Sequence, residues 1–187
     1  IHVNQCFPNS KLLNRNSLLL DRELYEQKST TKIVGGELYR VLLGYEGPNT
    51  QLFNLVNEII STMLKAKDPQ IVSARIGISP KGSREITIIA SKNGTTEEVI
   101  TPDISQMSSG ELMTLGLATE IIRAYELVKG APPQNLSEVK GLVLIDEIDL
   151  HLHVSFQRSV LPAIIRKFKN IQFILTTHSP FFLLGMA

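Results

Sequence analysis

Two adjacent carboxylates, Asp146 and Glu147, follow an unbroken apolar run, Leu142-Val143-Leu144-Ile145. Such a run reads as a strand buried on both faces. In an open parallel sheet, the carboxyl end of the strands is where ligands bind. A buried strand tolerates ionised carboxylates at its tip when a cation, a donor or water meets them. Mg²⁺ with a nucleotide phosphate is one such arrangement. One carboxylate holds the metal, directly or through water, and its neighbour orients or deprotonates the attacking water. A core strand ending in a charged, solvated turn is the other reading, and these two residues alone do not separate the two.

Two further groups of residues bear on the choice. Ser108 and Glu111 have the Ser-x-x-Glu spacing of a capping box, opening a helix that runs to about Lys129 with Leu115, Ala118, Ile122 and Tyr125 on one face. Small residues at Ser108, Ser109 and Gly110 leave backbone N–H groups open at a helix N-terminus, which favours an anion. A well-capped helix start explains the same residues without a ligand. His178 follows a second apolar run, Ile171–Leu175, within Thr176-Thr177-His178-Ser179-Pro180.

Elements of definite kind must position these groups. Ser155–Phe168 has Phe156, Val160, Ile164 and Phe168 at helical spacing, and Pro162 inside it predicts a kink or an irregular turn. Strand, helix, strand predicts parallel pairing through a right-handed crossover. If the two strands are neighbours, His178 reaches the same sheet edge as Asp146 and Glu147. Gly130–Lys140, with Pro132-Pro133, reads as a loop. Upstream, Leu52, Phe53, Val56, Ile59, Ile60 and Met63 give Thr50–Lys65 a helical period that core packing explains. Ile71–Ile78, Ile86–Ala90 and Glu97–Thr101 read as three antiparallel strands, with turns at Ser79–Gly82 and Asn93-Gly94. Lys81, Arg84 and Lys92 near these turns read as a solvated surface. Ile1–Lys32 is turn-rich and mixed, and helix resumes near Glu37–Leu43.

Composition narrows the class. The chain has 187 residues with 43% hydrophobic and 20% charged, which suits one globular domain with a real core. A net charge of +1 gives no bulk electrostatic case for nucleic acid or membrane. The one cysteine, Cys6, excludes an internal disulfide and suits a reducing cytosol. No apolar run approaches a membrane span.

The order of the three pieces, capped Ser-Ser-Gly-Glu helix, Asp-Glu strand tip and His strand tip, resembles the C-terminal lobe of an ABC-type ATPase head. Met107–Glu111 resembles the signature motif and Leu142–Glu147 the Walker B strand. Ile148–His153 stands at the D-loop, and His178 matches the switch histidine. The wording Asp-Leu-His-Leu-His and Thr-Thr-His-Ser-Pro is similar to the branch of SMC-like repair ATPases, OLD-family ATPases, and above all the ATPases of Septu and retron anti-phage systems. The resemblance covers about Ile71 to Leu184. It implies a P-loop NTPase-type α/β lobe with parallel strands, a helical portion and a small antiparallel β patch. Within residues 1–187 it implies a helical and irregular part (1–70), antiparallel strands (71–104) and the motif-bearing lobe (105–187).

The same resemblance implies roles. Asp146 would hold Mg²⁺, Glu147 would polarise the hydrolytic water, and His178 would contact the γ-phosphate. Ser108, Ser109, Gly110 and Glu111 would meet ATP bound by a second copy. Asp149, His151 and His153 would lie at the seam between copies. The implied cofactors are ATP and Mg²⁺. The implied partners are a second head and a nuclease effector, with a reverse transcriptase and its noncoding RNA or DNA in the retron case. The resemblance further implies no membrane partner and a cytoplasmic location. An SMC-like repair ATPase, an OLD-type ATPase-nuclease and a non-catalytic nucleotide-sensing scaffold are the alternatives. Three departures stand out: Ser109 where many relatives have glycine, Glu111 for glutamine, and His153 for aspartate. His151-x-His153 beside Asp149 also raises a metal site, though no second ligand pair is evident. No Gly-Lys dipeptide occurs in the chain: either the P-loop lies upstream of Ile1, as the family order implies and as is expected here, or residues 1–187 are a half-site that cannot hold ATP alone.

Overall fold

A computed structural model describes residues 50–78, 86–93, 97–102, 104–150 and 152–187. The turn at Ser79–Gly82, Arg84, the helix expected near Glu37–Leu43 and His151 lie outside the described residues.

Helix α1, Thr50–Lys67, confirms its apolar period: Leu52, Ile59, Ile60 and Met63 are fully buried. It packs on strand β1, Ile71–Ile78, and Asn57 fastens the two, its side-chain oxygen accepting the Ile76 N–H at 2.8 Å. Strands β1, β2 (Ile86–Lys92) and β3 (Glu97–Thr101) form the expected antiparallel meander, with Ile76 opposite Ile88 and Ala74 opposite Ala90. Ala74, Ile76, Ile88 and Ala90 share the buried face, while on the other face Arg75 is exposed and Thr87 and Ser91 of the central strand are buried. Asn93 has a φ of 53°, the left-handed turn conformation that Asn tolerates. Lys92 is more than a solvated surface cation, because its ammonium pairs with Asp68 at 2.9 Å.

Helix α2, Ser109–Lys129, is the expected long helix and ends on Gly130 at φ 75°, whose N–H returns to the Glu126 carbonyl. The next stretch is less loop-like than its prolines suggest. A 3₁₀ turn at Leu136–Glu138 is capped by the Asn135 side chain, and strand β4 already begins at Lys140 and runs to Ile145. β4 pairs in parallel with β5, Asn170–Leu175, in register from Lys140–Asn170 to Ile145–Leu175.

Two expectations need correction. β4 is not buried on both faces: Val143 and Ile145 are buried, but Leu142 is 42% exposed, and Ile174 on β5 is 51% exposed. Among the described residues this sheet has two strands, and the face carrying Leu142 and Ile174 has no covering layer among them. Nor does the crossover stay helical to Phe168: helix ends at Ile165, and the irregularity that Pro162 announces is present. It is a π-helical segment, Phe156–Val160, followed by α3, Leu161–Ile165. Pro162 has no N–H for an i→i−4 bond and its ring crowds the carbonyl four residues back. The chain widens by one residue before it, and the Leu161 N–H reaches back to the Phe156 carbonyl. A short helix α4, Pro180–Met186, packs on the π segment.

Candidate functional site

The parallel register sets the tips of β4 and β5 side by side, and the pairing runs one step past the strands. The Thr176 N–H donates to the Ile145 carbonyl at 3.0 Å, and the Ile148 N–H to the Thr176 carbonyl at 3.1 Å. Thr176 ties the acidic pair together. Its hydroxyl accepts the Glu147 N–H at 2.8 Å and donates to Asp146 Oδ1. Both carboxylates are exposed at this edge. Glu147 has a φ of 51°, left-handed backbone that a non-glycine residue adopts at a cost of roughly 1–3 kcal/mol and that clusters at functional sites.

His178 sits on the neighbouring tip, as the parallel pairing requires. The Thr177 hydroxyl and the His178 N–H (3.2 Å) both donate to Asp149 Oδ1. Asp149, expected at a seam between copies, therefore turns its carboxylate onto its own chain. His153 is exposed and starts the crossover. Its Nδ1 accepts the Ser155 N–H at 3.3 Å and pairs with the Ser155 hydroxyl at 3.0 Å, while its carbonyl accepts the N–H groups of Phe156 and Gln157.

The capped helix start forms as its spacing predicts. The Ser108 N–H and hydroxyl donate to Glu111 Oε2 at 2.7 and 2.8 Å, and the Glu111 N–H returns to the Ser108 hydroxyl at 3.3 Å. Ser108 and Ser109 face solvent. Gly110 is buried beside Leu152 and Phe156, so the helix start lies against the segment that follows the acidic tip, and a Cβ there would meet both side chains at ordinary contact distance, 3.4 Å. Glu111 is buried, and its Oε1 takes the Lys67 ammonium at 2.8 Å. Burial raises its pKa, but Lys67 and the two donors of Ser108 outweigh burial and hold it below the ordinary glutamate value. Glu111 is thus committed to holding the helix start and α1 together.

A stability prediction follows from the sign of that shift. A carboxyl whose folded value lies below its unfolded one contributes stability that is complete above the ordinary value of 4.5. It is lost as pH falls through the folded value. Glu111→Gln should flatten the acid limb of thermal unfolding between neutral pH and pH values below that range. Glu111→Ala removes the acceptor of the Ser108 N–H and hydroxyl and should cost about 1–3 kcal/mol. An unchanged acid limb would show that the cap carries no such linkage.

Thr176, Thr177, Ser179, Gln157 and Lys67 were not singled out by sequence. The hydroxyls beside His178 were the available signal for the first three. Nothing in the spacing of Gln157 or Lys67 announces a partner.

The donor set suits a hard cation. An exposed carboxylate at Asp146, fixed by a hydroxyl and beside a second carboxylate, is what Mg²⁺ asks for when it keeps most of its waters. Among the described residues no group of three or more His, Cys, Asp or Glu side chains is placed to hold a metal, and none of their helices is long and apolar enough to cross a membrane.

An α/β domain with a parallel strand pair, acidic and histidine strand tips and a capped helix start thus emerges. The chain belongs to the family described as "AAA domain, putative AbiEii toxin, Type IV TA system", whose model matches residues 17–184. Over 169 residues, 89% of this chain, it is 32% identical to the Retron Ec83 probable ATPase of Escherichia coli, of which it spans 27%. Over 83 residues, 44% of this chain, it is 36% identical to a Septu protein PtuA of Bacillus mycoides, of which it spans 11%. Retron and Septu ATPases are the two kinds of protein that the motif wording resembles. The SMC head domain from Thermotoga maritima overlays with a TM-score of 0.40 at 20% identity, covering 80% of this chain and 44% of that one.

Proposed function

We propose that this chain is part of an ATP-hydrolysing enzyme whose nucleotide state controls a partner effector. The observation that carries the reading is the joining of Asp146, Glu147 and the His178 loop at one sheet edge, through Thr176 and Asp149, in a chain of an AAA-domain family. Bound Mg²⁺ would neutralise charge on the phosphate oxygens. Asp146 would hold it, through water, at the strand tip. Glu147, with its backbone pinned by Thr176, orients the attacking water and takes its proton. His178 contacts the γ-phosphate from the adjacent tip. The P-loop that cradles the phosphates is expected outside this chain.

In the paired form, Ser108, Ser109 and Gly110 meet the nucleotide held by the second copy, while the segment from Asp149 to His153 lies at the seam. Contacts from both copies favour the closed pair by differential affinity, and hydrolysis removes them. The likeness to a retron ATPase and a Septu protein supports a defence-system setting; the reading extends to an anti-phage role in the cytoplasm, with a nuclease effector and, in the retron case, a reverse transcriptase with its RNA or DNA.

The test is phosphate release by the full-length protein with ATP and Mg²⁺, wild type against Asp146→Asn. Loss of a water-mediated metal ligand should lower turnover by about 10–100-fold and raise the Mg²⁺ requirement. Equal turnover at limiting Mg²⁺ would remove Asp146 from the metal site.

A further inference from the structure

Gln157 is buried inside the π-helical segment, and none of the roles above uses it. Its Nε2 donates to the Leu152 carbonyl at 2.8 Å and to the Asp149 carbonyl at 3.3 Å. Its Oε1 accepts the hydroxyl of Ser179. Ser179 Oγ in turn accepts the N–H groups of Phe181 (3.2 Å) and Phe182 (3.4 Å) and so starts α4. Each end of the amide has a set direction. Two carbonyls require the donor end, and a hydroxyl whose oxygen accepts two N–H groups presents its proton to the acceptor end.

The consequence is a two-point clamp. The turn after the acidic tip grips the His178 loop directly, through the Asp149 carboxylate on Thr177 and on the His178 N–H. It grips the loop again one residue later, through Gln157 on Ser179. His178 lies between the two grips, so its backbone cannot shift relative to Asp149 unless one of them opens. The π segment matters here as well, because it sets the register from which Gln157 reaches both sides. A glutamate at 157 would offer the carbonyls no proton, and a methionine would offer neither donor nor strong acceptor.

We propose that Gln157 is a positioning residue, locking the loop of His178 to the turn beyond Asp146 and Glu147 so that the two strand tips hold one relative geometry. This rests on reading those three residues as a hydrolytic site. Displacing a catalytic group by about 1 Å costs up to 10²-fold in rate, so a side chain that neither touches nucleotide nor titrates can still govern turnover.

The experiment uses the full-length protein as wild type, Gln157→Met, His178→Ala and the double variant, with two readouts. Hydrogen exchange of the nucleotide-free protein should show faster exchange at residues 177–182 in Gln157→Met, with residues 109–129 unchanged. A general loss of stability would raise both. In steady state, kcat should fall about tenfold with KM for ATP nearly constant. The Gln157→Met loss should vanish in the His178→Ala background, because both changes act on one step. Should Gln157→Met fail to fold, Gln157→Glu keeps the length and must give the same exchange signature. Unaltered exchange at 177–182, or losses that add in full in the double variant, would overturn the clamp. A wild-type protein without turnover would overturn the hydrolytic site instead, and the exchange comparison would still decide the clamp.

Discussion

Glu147→Gln in the full-length protein is expected to lower ATP turnover by about 10²–10⁴-fold, the usual worth of a positioned general base, while ATP binding changes little. Glutamine matches glutamate in size and can hold a water, but it cannot take the proton. The substitution leaves the scaffold of the site untouched, because what fixes residue 147 is its backbone. Its N–H meets the Thr176 hydroxyl, and its carbonyl accepts the Leu150 N–H at 3.0 Å. The left-handed φ of 51° weighs on both side chains alike, so the melting temperature should stay where it is. Slowed hydrolysis with intact binding should also prolong any ATP-dependent pairing, visible as a larger species on sizing in the presence of ATP. Phosphate release that matches wild type would take the role of base away from Glu147. Nucleotide binding in a wild type that never releases phosphate would favour a sensing scaffold.

Gly185→Ala is expected to undock helix α4 and lower stability by about 1–3 kcal/mol, the cost of overpacking a close contact. A Cβ at 185 would lie 2.1 Å from the Arg158 carbonyl oxygen and 2.8 Å from Pro162. The carbonyl belongs to the π-helical backbone and cannot rotate away as a side chain could. The Gly185 carbonyl also accepts the Arg166 guanidinium at 2.8 Å, so moving α4 weakens a second tie. Because Ser179 starts α4 and also meets Gln157, the displacement should reach the His178 loop. Thermal unfolding and exchange at residues 177–186 measure both effects. An unshifted melting temperature would mean that α4 adjusts without cost.

The sequence by itself determined the elements and the ends of the key ones. Apolar periods gave α1, α2 and the three antiparallel strands, since burial of one stripe or one face is written directly in residue spacing. The Ser-x-x-Glu pattern gave the cap at Ser108, a contact within four residues. The two apolar runs ending in Asp146-Glu147 and in His178 gave the neighbouring strand tips of the candidate site, because strand–helix–strand connectivity leaves parallel pairing as the economical solution. Tertiary structure alone decided the rest. Asp149 faces its own chain, Glu111 serves Lys67, and Gln157 joins the turn at Asp149–Leu152 to Ser179, which lies 22 residues beyond Gln157 itself. Such partners depend on where a side chain of ordinary type ends up after packing, and spacing carries no record of that. The π segment before Pro162 belongs to both. The proline announced an irregularity, but only the docking of α4 through Gly185 shows how the widened turn is used. The exposure of Leu142 and Ile174 was likewise invisible, because an apolar run states what a strand can bury and leaves open which neighbours cover it.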